Sequence, residues 1–140
     1  RLNPKLDYAY SLRGSAWQMK GKFDNSIADF SEALRLDPKN ATAYGNRGRA
    51  WNAKGEYDQA IADCSEAIRL NPNLAAAYCN RGWAHSAKGD YDQAIADYDE
   101  ALRLDPNYPT ARANRAAVVT ARKKPREERA NTVVHDRKTD

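Results

Sequence analysis

The chain has little of what most chemistry requires. Its 140 residues include two cysteines, two histidines and one methionine. Cys64 and Cys79 are too few for a disulfide framework and lack metal-ligand spacing. They read as small apolar packing residues, with a bridge between them as the lesser alternative. His85 and His135 have no partner nucleophile, no serine or cysteine has a credible base, and no glycine-rich phosphate loop is present. These absences argue against an enzyme and imply neither cofactor nor metal. No hydrophobic run approaches the ~20 residues that a membrane-spanning helix needs. Nothing in residues 1–4 resembles a signal peptide.

Charge of one sign is also lacking, except at one end. Residues 7–40 and 41–74 are each neutral, and 75–108 carry −3. Residues 109–140 carry +5, so the excess over the whole chain, +4, comes mainly from the C-terminal segment. Contact with nucleic acid or an acidic surface would have to reside there. Glu127, Glu128 and Asp136 interrupt its basic run, which makes it the weakest functional reading.

What the chain does have is a period of 34 residues. Gly14, Gly48 and Gly82 keep that step, as do Gly21, Gly55 and Gly89, Ala33, Ala67 and Ala101, and Pro4, Pro38, Pro72 and Pro106. Residues 41–74 and 75–108 agree at 23 of 34 positions, which points to a stacked array rather than one globular core. Within 41–74, Tyr44, Gly48 and Trp51 follow helical spacing. Lys54-Gly55 then supplies a C-terminal stop, because glycine accepts the left-handed conformation there. A second helix is predicted to open at Asp58 as its cap, with Asp24 and Asp92 repeating that role. Ile61, Cys64, Ala67 and Ile68 form its apolar stripe, and Pro72 ends it. Each unit is thus a helix, a short turn and a second helix, with small residues such as Gly48 and Ala60 allowing close approach.

The pattern Tyr44-x3-Gly48-x2-Trp51…Gly55-x-Tyr57-x2-Ala60…Cys64-x2-Ala67…Pro72 resembles the tetratricopeptide repeat (TPR). The resemblance implies an all-α fold: a right-handed α-solenoid of antiparallel helix pairs, about seven helices in all. Residues 1–6 would end a preceding repeat, since Arg1-Leu2-Asn3-Pro4 matches Arg69-Leu70-Asn71-Pro72, and the chain is expected to be a piece of a longer protein. Repeats would occupy 7–40, 41–74 and 75–108, with a capping helix at 109–124 and a basic tail at 125–140. Several residues depart from the family pattern. Arg13, Arg47 and Arg81 stand where leucine is usual, Ser26 replaces alanine, Cys64 an aromatic, and His85 the tryptophan of Trp17 and Trp51.

In such arrays the first helix of each pair lines a concave groove. The groove positions implied are Tyr8, Ser11, Leu12, Ser15, Gln18 and Met19; Thr42, Gly45, Asn46, Arg49 and Asn52; Ala76, Cys79, Asn80, Trp83 and Ser86; and Thr110, Ala113 and Asn114. Asn46, Asn80 and Asn114 form a ladder whose amides can grip a peptide backbone, or alternatively satisfy neighbouring helices. Ser15, Arg49 and Trp83 share one repeat position, where an arginine beside an aromatic suits a binding hot spot. The family's chaperone-binding members hold a C-terminal carboxylate with lysine, arginine and asparagine. The matching places are Ser11, Ser15, Asn46, Ala76 and Asn80, so the basic clamp is missing. The repeated arginines are expected to pair with Asp29, Asp63 and Asp97 and to stitch the units together. The predicted function is a scaffold binding a protein or extended peptide; self-association through the array ends and tail is the alternative. Compartment is open, with the cytoplasm slightly favoured.

Overall fold

The computed structural model describes residues 5–124. The expectations that fall on residues 1–4 and on the tail at 125–140, His135 included, lie outside the described residues. Seven helices account for nearly all the rest: α1 Leu6–Met19, α2 Phe23–Leu36, α3 Ala41–Ala53, α4 Tyr57–Leu70, α5 Ala75–Ala87, α6 Tyr91–Leu104 and α7 Pro109–Arg122.

Two kinds of turn alternate between them. After α1, α3 and α5 the chain passes through Gly21, Gly55 and Gly89 at φ of 74°, 79° and 83°. That left-handed residue lets the Lys22 amide donate back to the Trp17 carbonyl at 2.9 Å, and Glu56 and Asp90 repeat the bond to Trp51 and His85. The other turn lies before proline. Asp37, Asn71 and Asp105 each accept from the backbone amide two residues on, at 3.1–3.2 Å, so the side chain shapes the bend that proline enforces. Connections this short reverse the chain, and successive helices pack antiparallel.

The core is thin and rich in alanine. Gly14, Gly48 and Gly82 let the helices of a pair approach, and an added Cβ at Gly48 would lie 2.6 Å from the Cys64 sulfur. The facing residue is Phe30, Cys64 or Tyr98, each at most 1% exposed. Ala33, Ala50, Ala60, Ala67, Ala84, Ala94 and Ala101 are fully buried around them. Cys64 and Cys79 are free thiols in this core, and the bridge is not formed. In the unit where the facing residue is the small Cys64, the Trp51 indole N–H donates to Asp63 at 3.1 Å.

Two local expectations are corrected. Asp24, Asp58 and Asp92 are not caps: the helices start one residue earlier, at Phe23, Tyr57 and Tyr91, and no side-chain cap bond forms there. The residue after the turn glycine already closes the preceding helix, so it becomes the cap position of the next. The aspartates sit in the first turn, where they complement the helix dipole. They also reach the next pair: Lys54 to Asp24 at 2.5 Å, Lys88 to Asp58 at 2.5 Å, Arg122 to Asp92 at 2.8 Å. The arginine–aspartate pairs do form, but within helix pairs rather than between them. Arg13, Arg47 and Arg81 each make a two-pronged bond to Asp29, Asp63 and Asp97. The stitch between units is a third donor: Arg47 and Arg81 reach Ser31 and Ser65 of the preceding pair at 3.2 Å. No second helix follows Arg115 among the described residues. The arginine turns instead to Asp99, at the position of those serines, at 2.5 Å.

Candidate functional site

The array has an inner and an outer row. The odd-numbered helices touch one another, α3 against α5 most extensively, while no comparable contact joins α2 to α4 or α4 to α6 among the described residues. Closer spacing of one row curls the stack toward it, so α1, α3, α5 and α7 line the inside. Side chains fasten this row. Gln18 donates to the Asn46 carbonyl at 3.3 Å, and Asn52, at the same repeat position, donates to the Asn80 carbonyl at 2.8 Å. Sequence reasoning placed Asn52, Gly45 and Cys79 in the groove. The structure buries all three in the seams between inner helices, because those positions lie a quarter turn from the open stripe. The signal was available in the 34-residue match of Gln18 to Asn52, two amides of seam-spanning length.

The open stripe on each inner helix follows helical spacing at i, i+4, i+7 and i+11. On α1 it reads Tyr8, Leu12, Ser15 and Met19; on α3, Thr42, Asn46, Arg49 and Ala53; on α5, Ala76, Asn80, Trp83 and Ala87; on α7, Thr110, Asn114, Ala117 and Ala121. Leu12 occupies the place of the asparagines, which the ladder argument passed over. Tyr8 is 64% exposed, Leu12 54%, Met19 89% and Trp83 37%. These are the large hydrophobic residues exposed among the described residues, and all four fall on this stripe.

Each predicted site residue has a distinct setting. Ser15 is half-buried on α1 and Asn46 half-buried on α3, with the Asn46 side chain making no hydrogen bond among the described residues. Asn80 donates its amide to the Gly45 carbonyl at 3.3 Å, so part of the ladder serves the neighbouring helix. Asn114 lies beside the Tyr98 hydroxyl, whose ionisation is pushed well above the tyrosine range, chiefly by burial. Arg49 and Trp83 are exposed. They do not stack on each other: the arginine cation–π contacts are those of Arg13, Arg47 and Arg81 with the tyrosines three residues before them.

Arg49 differs from its kind. Among the described residues it is the arginine whose guanidinium has no hydrogen bond or ion pair within them; Arg13, Arg35, Arg47, Arg69, Arg81, Arg103, Arg112, Arg115 and Arg122 all have one. Beside it, burial pushes the Tyr108 phenol up to about 12 and raises the Cys79 thiol, while the Arg49 charge acts against both shifts. Asn40 caps α3 by accepting from the Ala43 amide at 3.0 Å. No helix among the described residues is long and apolar enough to cross a membrane, and none of their His, Cys, Asp and Glu side chains cluster as metal ligands.

Comparison with known proteins agrees with this geometry. Two tetratricopeptide repeat family models match, over residues 18–75 and 75–108. No curated protein matches the sequence. Solved structures do. The TPR domain of Arabidopsis OM64 superposes with a TM-score of 0.81 at 28% identity, covering 83% of this chain and 96% of that one. The first TPR domain of human RPAP3 gives 0.81 at 27%, with 84% and 93% covered. The first TPR of Spaghetti (RPAP3), bound to the HSP90 peptide SRMEEVD, gives 0.82 at 26%, with 87% and 97% covered. The two family matches run unbroken over residues 18–108, the helices pair and stack as that repeat requires, and the chain therefore belongs to the tetratricopeptide repeat family.

Proposed function

We propose that this chain is a binding scaffold without catalysis of its own, which holds an extended peptide segment along the inner stripe. Ser15, Asn46, Arg49, Asn80, Trp83 and Asn114 contact the ligand together with Tyr8, Leu12 and Met19. The observation that carries this reading is the gathering of the exposed large hydrophobics on one inward stripe. Large apolar residues left exposed on one side of a fold mark a contact surface, and the outer helices leave no such residue exposed among those described. The likeness to a TPR domain bound to an HSP90 peptide supports the mode of binding. The partner differs, because Ser11, Ser15 and Ala76 stand where that family's carboxylate clamp needs basic or amide groups.

The test is selection of peptides from a displayed library on the folded protein. Selected binders should weaken at least tenfold against the Leu12→Ser/Trp83→Ala double variant, whose circular dichroism should match the parent. Binders indifferent to both changes would refute the groove as the site.

Self-association rests on a separate observation. Leu6, Ala9, Tyr10 and Arg13 surround a cleft of about 250 Å³ on the open side of α1. At the places equivalent to Ala9, Ala43, Ala77 and Ala111 are at most 1% exposed, each covered by a preceding helix. Light scattering across a concentration series decides it: a strict monomer removes this reading.

A further inference from the structure

The inner stripe carries more than a preference for apolar groups. Across its four helices the only charged side chain is Arg49. It is exposed, has no hydrogen-bond or ion-pair partner among the described residues, and stands on α3, between α1 with its exposed Tyr8, Leu12 and Met19 and α5 with its exposed Trp83. A ligand that covers Trp83 and the apolar residues of α1 would also exclude water from the guanidinium between them, and a charge pair screened by less water attracts more strongly. It also offers a planar fork matched to two carboxylate oxygens.

We infer that, given the peptide-binding reading on which this rests, the ligand is an internal segment with one Asp or Glu side chain on Arg49. An aliphatic residue lies to one side on α1, and an aromatic or aliphatic residue to the other on Trp83. The charge balance selects a carboxylate. One cation compensates one negative charge, whereas a phosphate dianion would leave charge unmatched among apolar groups. The flanks select an internal residue. A chain end at Arg49 would leave either Trp83 or the α1 stripe uncovered, while a segment running across α1, α3 and α5 covers both. Packed helices stand about 8–10 Å apart and an extended chain advances about 3.3 Å per residue. One helix-to-helix step therefore takes about three residues. The recognised pattern is an aliphatic residue, two spacers, an acidic residue, two spacers, and an aromatic or aliphatic residue. The asparagines at 46 and 80 are placed to meet the spacer backbone.

The probe is the end-blocked, fluorescein-labelled peptide Ser-Leu-Ser-Ser-Glu-Ser-Ser-Phe-Ser, titrated into the full chain by fluorescence anisotropy. Binding should fall at least tenfold when the glutamate becomes glutamine, and by the same factor for Arg49→Ala with the parent peptide. Combining both changes should add little, and added salt should weaken the parent pair alone. Leu12→Asn and Trp83→Ala should weaken the glutamate and glutamine peptides equally. If the two peptides bind alike yet both respond to Leu12→Asn, the acidic preference is overturned and the groove reading stands. If neither binds and library peptides ignore Leu12 and Trp83, the groove reading falls with it. Tighter binding of a version that ends in a free carboxylate at the glutamate overturns the internal-segment assignment. Displacement of the probe by a peptide of residues 126–140 at lower concentration than unlabelled probe would make the chain's own tail the occupant and overturn the external partner.

Discussion

At the scale of the residue, the repeat is maintained by pairs of positions rather than by single conserved choices. Gly48 faces Cys64, where Gly14 faces Phe30 and Gly82 faces Tyr98. A ring can pivot away from an intruding methyl, but a short thiol fixed near its backbone cannot. Gly48→Ala should therefore cost about 1–3 kcal/mol in urea unfolding, and most of that cost should vanish in a Cys64→Ala background. Additive losses would show that the sulfur is not what limits the approach. The glycine period was plain in the sequence and so was its role in close packing. What the sequence withheld was the partner of each glycine, because the 16-residue offset between facing helices depends on how the turn sets them.

At the scale of the element, each helix pair is clamped at its outer side and each junction is bridged at its turns. Asp63 accepts both prongs of Arg47, at 2.6 and 2.8 Å, and the indole of Trp51. Its side chain is 11% exposed, against 82% for Asp58, which meets Lys88 across the junction. Asp63→Ala strands a half-buried guanidinium and should destabilise by about 2–3 kcal/mol. Asp58→Ala, whose pair is open to solvent, should leave the urea midpoint within experimental scatter. A large loss at Asp58 would mean that the junction ladder carries stability rather than register. The sequence showed the arginine and aspartate periods, and their pairing followed from charge. Which pairs lie within a unit and which cross between units did not follow, since a 34-residue period is equally satisfied by both. Asp99 settles the point for the last unit: it stands where Ser31 and Ser65 do and takes the arginine that has no partner ahead among the described residues.

At the scale of the whole molecule, stability is a sum over stacked pairs with little bulk at any one site. Buried ionisable groups therefore act as alkaline triggers. Burial pushes the Cys64 thiol from 9.0 up to about 12 and the Tyr108 phenol from 10.0 up to about 12. Both are neutral when protonated, and the folded state holds their protons more tightly than the unfolded state does. Their contribution is thus fully present below pH 9 and declines as the pH rises from 9 toward 12. Unfolding midpoints should be level between pH 6 and about 8.5 and then fall. Cys64→Ala should flatten that decline even if it lowers the plateau. An unchanged slope in this variant would remove the thiol as its cause.

The sequence by itself determined the local plan: helix, glycine turn, helix, proline turn, and the class of array that results. Those features are written in backbone preferences that act over a few residues, so they survive without knowledge of neighbours. The resemblance to the repeat family added a set of groove positions on the first helices, Arg49 and Trp83 among them. Only the tertiary structure decided which of those positions stay open. Gly45, Asn52 and Cys79 are sealed because the inner row packs more closely than the outer row, and that spacing belongs to no single unit. The structure also leaves Leu12 and Met19 bare, and every arginine but Arg49 has a hydrogen-bond partner within the described residues. The proposed selectivity of the groove rests on that remainder, which is a property of how the units meet.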